Sequence, residues 1–90
     1  MATRQLPLHI RVLQAELEKR RSRNSRYSMR AFAKYLEMDA SALSRVLAGK
    51  LDLSLQACSV ILKKLEMSTS EIRLFIAAVS EDKRNRAAAI

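Results

Sequence analysis

A single glycine, a single proline, a single cysteine and a single histidine stand among these 90 residues. One glycine and one proline argue against a sandwich or barrel of many strands, which needs many turn residues. They also exclude the phosphate loop G-x-x-x-x-G-K-[ST] and the dinucleotide fingerprint G-x-G-x-x-G, which need several glycines for close backbone approach to phosphate. Cys58 alone forms no internal disulfide framework and no Cys-based zinc site. His9 alone makes no His-rich metal site, and H-E-x-x-H is absent. No metal and no cofactor is expected. The longest unbroken apolar run is Leu74–Val79, far short of the roughly 20 residues that span a bilayer. The first residues carry no apolar signal core. These absences predict a soluble, cytoplasmic protein without catalytic activity.

What the chain does carry is apolar content and positive charge. Hydrophobic residues make up 49%, too many for a disordered basic tail. Seventeen Lys and Arg against nine Asp and Glu give a formal charge of +8. A chain of this size buries roughly 60–65% of its unfolded surface and makes one small domain. An all-α domain with a positive face is what remains.

Residues 1–7 read as an N-terminal arm, 8–80 as the domain and 81–90 as a charged extension. Pro7 suits the first turn of a helix. Ile10, Leu13 and Leu17 recur at helical spacing and predict a first helix to about Ser22. Arg23–Tyr27 reads as a connection. Ser28 is an N-cap for a second helix over Met29–Glu37, with Phe32, Ala33 and Leu36 inward and Tyr27 and Phe32 placed as a hydrophobic staple. Asp39 caps a third helix, Ala40–Ala48, which Gly49 stops. Ser54 caps a fourth, with Leu55, Cys58, Ile61, Leu62 and Leu65 along one stripe. Ser68-Thr69-Ser70-Glu71 is a capping box that opens a fifth, with Ile72, Phe75, Ile76 and Val79 inward and fraying expected from Glu81 to Arg86. The second and third helices, so close in sequence, are the helix-turn-helix arrangement.

On the third helix, with Leu43 as zero, Val46 and Leu47 fall within about 60° and face the core. Ser41, Ser44, Arg45 and Ala48 fall between about 100° and 200°. That outward face is small, polar and positive, as a helix lying in a DNA major groove must be. Arg45 can read guanine O6 and N7, the serines any base edge, and Ala40 or Ala48 a thymine methyl. By itself such a face is equally a short solvated one. From Lys19 to Lys34, however, stand seven basic residues and no acidic one: Lys19, Arg20, Arg21, Arg23, Arg26, Arg30 and Lys34. A charge run alone is ordinarily a solvated face; beside a helix-turn-helix it lies where the phosphate backbone is crossed. The start of the second helix, Ser28 to Arg30 through Met29, also offers free N–H groups to a phosphate.

Phe32-Ala33-Lys-Tyr-Leu-Glu37-Met38-Asp-Ala-Ser-Ala-Leu43-Ser-Arg-Val46-Leu-Ala-Gly49-Lys50 resembles the helix-turn-helix of the Cro and lambda-repressor, or XRE-type, family. The likeness covers about residues 10–80, and the stretch Arg23–Ala33 is further similar to a group of predicted bacterial regulators of unassigned role. It implies a compact five-helix domain whose third helix enters the major groove of double-stranded DNA. Base contacts would come from Ala40, Ser41, Ser44 and Arg45. Phosphate contacts would come from the Ser28–Arg30 helix start and Lys50, joined by Arg23, Arg26 and Lys34 of the basic run. Glu37 departs from the pattern, standing where the family usually has Gly. It must adopt a left-handed conformation or the turn must reshape, at a cost of roughly 1 kcal/mol.

The expected function is therefore sequence-specific DNA binding by a small, nucleoid-associated transcriptional regulator acting by occupancy. Two alternatives stand beside it, a sequence-tolerant DNA-coating protein and a protein-interaction, antitoxin-like module with an unidentified protein partner. Leu8 and Val12 on the first helix and Leu74 and Ala78 on the fifth are surplus apolar residues. They form a two-fold homodimer surface, or else are absorbed in a small core or scattered on the surface. Cys58 reads as a buried, inert thiol, His9 as a surface residue, and Met29, Met38 and Met67 as core filler.

Overall fold

The computed structural model describes residues 6–88, and every regular element among them is a helix. Residues 1–5 of the expected arm and 89–90 of the expected extension lie outside the described residues. The helices are α1 (Leu8–Arg23), α2 (Met29–Tyr35), α3 (Ala40–Leu47), α4 (Leu55–Lys64) and α5 (Thr69–Ala88). The chain folds into a compact globule with a radius of gyration of 13.2 Å.

The helix starts follow the local chemistry. Ser28 Oγ accepts the Ala31 N–H (3.0 Å), and Ser54 Oγ the Ala57 N–H (3.1 Å). At α5 the capping box closes in both directions: Glu71 N–H donates to Ser68 Oγ (3.2 Å) and Ser68 N–H to Glu71 Oε1 (3.0 Å). The Ser68 N–H, with the Ser68 hydroxyl, holds the Glu71 carboxyl below its ordinary range. Pro7 stands one residue outside α1, its carbonyl accepting from the Ile10 and Arg11 N–H groups.

The ends of α2, α3 and α4 are each followed by a left-handed residue: Glu37 (φ 58°), Gly49 (φ 75°) and Glu66 (φ 50°). Only one of the three is glycine. The second helix therefore ends at Tyr35, two residues short of the expected Glu37, because the left-handed turn needs Leu36 as its C-cap. At the other end of the chain, α5 does not fray at Glu81 but runs to Ala88. The boundary expected between residues 80 and 81 thus falls inside a helix.

The core is built on Phe32 and Phe75, both fully buried, with Leu13, Leu17, Leu36, Leu43, Val46, Ile61 and Val79 around them. Leu53, assigned to a loop, is buried with them. Cys58 is buried, and desolvation pushes its thiol pKa up. Met29, Met38 and Met67 pack against this cluster from its rim. Three expected core residues are outside it: Leu55 is 71% exposed, Ile76 is 45% exposed, and Ile72 is only partly buried. Leu55 is the first residue of α4, before the helix has turned onto the core. Ile76 is displaced because Phe75 and Val79, four apart, already define the inner line of α5.

His9 is the larger correction. Expected at the surface, it is 0% exposed, with neither ring nitrogen hydrogen-bonded among the described residues and its ring edge-on to Phe75 at 5.9 Å between centroids. It precedes Ile10 on the side of α1 that packs on α5. Desolvation is the main force on it and lowers its pKa below the usual 6.5; Asp82 and Asp52 oppose this and Arg86 adds to it. The native state therefore disfavours the imidazolium. Above the unfolded pKa of about 6.5 His9 is neutral in both states and costs nothing. As pH falls below that value, the unfolded chain takes up a proton that the native state resists, and stability declines. Urea denaturation between about pH 7 and pH 5 will show this decline, and a His9→Leu variant will show a flatter profile over the same window.

Candidate nucleic-acid interface

α2 and α3 pack against one another across the four residues Leu36–Asp39. Tyr27 lies 6.4 Å from Phe32 between ring centroids, as a staple before α2 requires. At the far end Met38 N–H donates to Ala33 O (2.8 Å) and Glu37 N–H to Lys34 O (3.1 Å). This is the paired C-terminal cap built around a left-handed residue, here with glutamate in the place that glycine favours. Of the two options open to Glu37, the backbone has taken the left-handed one. Its carboxylate lies 3.5 Å from Lys64 Nζ, an exposed pair worth little.

Asp39 then starts α3. Its Oδ2 accepts the Ser41 and Ala42 N–H groups, each at 3.1 Å, and the Ser41 hydroxyl at 2.6 Å. The Ser41 hydroxyl bond, with the Ala42 N–H, holds the Asp39 carboxyl below its ordinary range. Leu43, Val46 and Leu47 are buried, while Ser41, Ser44, Arg45 and Ala48 are exposed. Ala40 departs from expectation. It is half-buried against the core, because on the α3 wheel it lies about 60° from Leu43, on the inward side. Ala48 is the exposed methyl instead. Arg45 has no ion-pair partner among the described residues.

The basic run divides into two groups. Arg23, Arg26, Arg30 and Lys34 are exposed and form no ion pair among the described residues, and the same holds for Lys50 after α3. Arg20 is different. Its guanidinium pairs with Glu16 at 2.8 Å, donates to Tyr27 Oη at 3.3 Å, and lies 4.0 Å from the Tyr35 ring centroid. The Phe32 ring is 5.7 Å away. Desolvation works against this cation, but the hydrogen bonds to Glu16 and Tyr27 outweigh it and raise its pKa. Arg20 is a clamp that joins α1 to α2. Arg21 likewise pairs with Glu18 (3.3 Å) and donates to Tyr27 O (3.5 Å). The Ser28 hydroxyl is used as a cap, and Met29 packs its side chain on the core, leaving only its backbone for a ligand.

Leu8, Leu74 and Ala78, three of the four residues proposed for a dimer surface, line one groove of about 780 Å³ between the start of α1, the end of α3 and α5. Val12 does not join them; it packs toward the core. Two polar groups that local pattern could not assign also act here. Gln14 Nε2 donates to Leu47 O at 3.1 Å, and Arg86 donates to Gly49 O. Both bonds link residues more than thirty positions apart, which no short motif encodes. Among the described residues no group of three or more His, Cys, Asp or Glu is placed to hold a metal, and no helix is long and apolar enough to cross a membrane.

Two substitutions test this geometry through stability. Glu37→Gly relieves the left-handed glutamate and will raise unfolding free energy by about 0.5–1 kcal/mol in urea denaturation. Arg20→Met will lower it by about 1–2 kcal/mol, whereas Arg26→Ala will change it by less than about 0.5 kcal/mol.

Comparison of the chain with protein-family models, with curated proteins and with solved structures finds no match in any of the three.

Proposed function

We propose that this protein is a sequence-specific double-stranded DNA-binding regulator that acts by occupancy, with α2 and α3 as a helix-turn-helix of the lambda-repressor kind. The observation that carries this reading is the two-sidedness of α3. Three buried residues, Leu43, Val46 and Leu47, hold the helix down, and the opposite side offers only Ser41, Ser44, Arg45 and Ala48. Such a face has the size and polarity of one that fits a major groove. The exposed cations Arg23, Arg26, Arg30, Lys34 and Lys50, unpaired among the described residues, support it by supplying charge for phosphates on the flanking segments. In this role α3 supplies discrimination, the flanking cations supply most of the affinity, and neither catalysis nor cofactor is needed. Two copies would read a palindromic site.

A second reading, the sequence-tolerant DNA coat, is favoured by one observation. Arg45 is the only cation on the outward face of α3, and the Ser41 hydroxyl is already committed to Asp39. Selection of bound duplexes from random DNA at about 150 mM salt separates the two. A two-fold symmetric motif with half-sites about one helical turn apart is expected. Arg45→Ala should then lower the preference for that motif over random DNA about tenfold, since a good bidentate contact carries about 1–3 kcal/mol of discrimination. Arg26→Ala and Arg30→Ala should weaken binding to both DNAs alike. Recovery of DNA with no motif would establish the coat, and recovery of no DNA would turn attention to a protein partner.

A further inference from the structure

A helix ends with carbonyls that no helical N–H can reach. At the end of α3 two of them are satisfied locally: Lys50 N–H donates to Arg45 O (2.9 Å) and Gly49 N–H to Val46 O (3.0 Å). Two more oxygens are held from other helices. Gln14 on α1 takes Leu47 O, and Arg86 on α5 takes Gly49 O. The Arg86 guanidinium also contacts the carboxylate of Asp52, in the loop after α3, and that of Asp82, one turn back on α5, at 3.3 Å. Leu6 covers the same residue from the other side, 3.1 Å from where a Cβ on Gly49 would stand. The turn that presents Lys50 is thus fixed by a side chain 37 residues away.

His9 stands beside this cluster. It is fully buried with its ring edge-on to Phe75 of α5, its two nitrogens lack partners among the described residues, and Asp82 and Arg86 on α5 and Asp52 in the loop are the charged groups whose fields act on it. These are the groups that make the Arg86 contact. A proton on His9 would put a buried cation near the partly buried guanidinium and would compete for the two carboxylates that hold it.

We propose that Arg86 is a positioning residue for the DNA-facing end of α3, and that His9 makes its hold acid-sensitive. With His9 neutral, Arg86 rests on Gly49, Asp52 and Asp82, and the Gly49–Lys50 turn is fixed. With His9 protonated, the carboxylates are drawn to the imidazolium and the turn is released. The latch is a property of the free protein; only its consequence for binding rests on the DNA reading above.

Amide hydrogen exchange of the free protein, followed by NMR at about pH 7.5 and about pH 5.5 and corrected for intrinsic rates, tests the latch. In the wild type the protection of the Lys50 amide should fall about tenfold or more at the lower pH. Arg86→Gln should show the low protection at both pH values, and so should Arg86→Lys, whose compact ammonium lacks the fork that reaches Gly49 O from Nη2 while Nε faces the two carboxylates. His9→Leu should keep the high protection at both. Unchanged protection in the Arg86 variants overturns the latch, and a wild-type-like fall in His9→Leu overturns its acid sensitivity. The positioning role is tested with a mixed-sequence duplex at about pH 7.5. Lys50→Ala should weaken binding about fivefold in the wild type and less than about twofold in Arg86→Gln. An equal factor in both backgrounds overturns the positioning role. Failure of the wild type to bind DNA overturns the functional reading, while the exchange measurement still decides the latch.

Discussion

An eight-residue helix does not hold together in water by itself, since nucleation is unfavourable and few hydrogen bonds repay it. α3 exists because Leu43, Val46 and Leu47 are buried against the rest of the core. The surface the chain can offer a partner depends on that burial. Once three apolar side chains are committed inward, Ser41, Ser44, Arg45 and Ala48 have no other direction than outward. The caps at either end refine the arrangement: Asp39 holds the first turn, and the left-handed Gly49 closes the last.

A chain with so little glycine must use other residues where the backbone turns left-handed. Glu37 and Glu66 fill two such places, each at a cost of roughly 1 kcal/mol relative to a residue at ease there. The cost is tolerable because the same turns let Leu36, Met38, Leu65 and Met67 pack on the core. Arg20 adds a second device. By stacking on Tyr35 and pairing with Glu16, it joins α1 to α2 through a charged residue that burial alone would disfavour. Its pairing takes it out of the solvent-facing cations of the basic segment, of which Arg23, Arg26, Arg30 and Lys34 form no ion pair among the described residues.

The helix starts and the number of helices were legible in the sequence, because capping residues and apolar spacing act over three or four positions. Ser28, Asp39, Ser54 and the Ser68–Glu71 box each do locally what their spacing implies. The outward face of α3 was legible for the same reason, apart from Ala40, which a wheel centred on Leu43 already turns inward. His9, Ile76 and Leu55 were not legible. Their exposure is set by which neighbouring helix covers them, and that depends on packing between segments far apart in the chain.

Local sequence therefore determined the five helices, the caps that start α2 to α5, most of each buried line and the small polar face of α3. All of these follow from hydrogen bonds and side-chain spacing within one or two turns. The tertiary structure alone decided which cations are free, which are clamps, and how the exit of α3 is held. Arg20 is a clamp because three rings from α2 and the connection converge on it. Arg86 reaches Gly49, Asp52 and Asp82 because α5 continues through Ala88 and returns to the end of α3. The Arg86 contacts to Gly49 and Asp52 join residues more than thirty positions apart, and no periodicity in the chain specifies them.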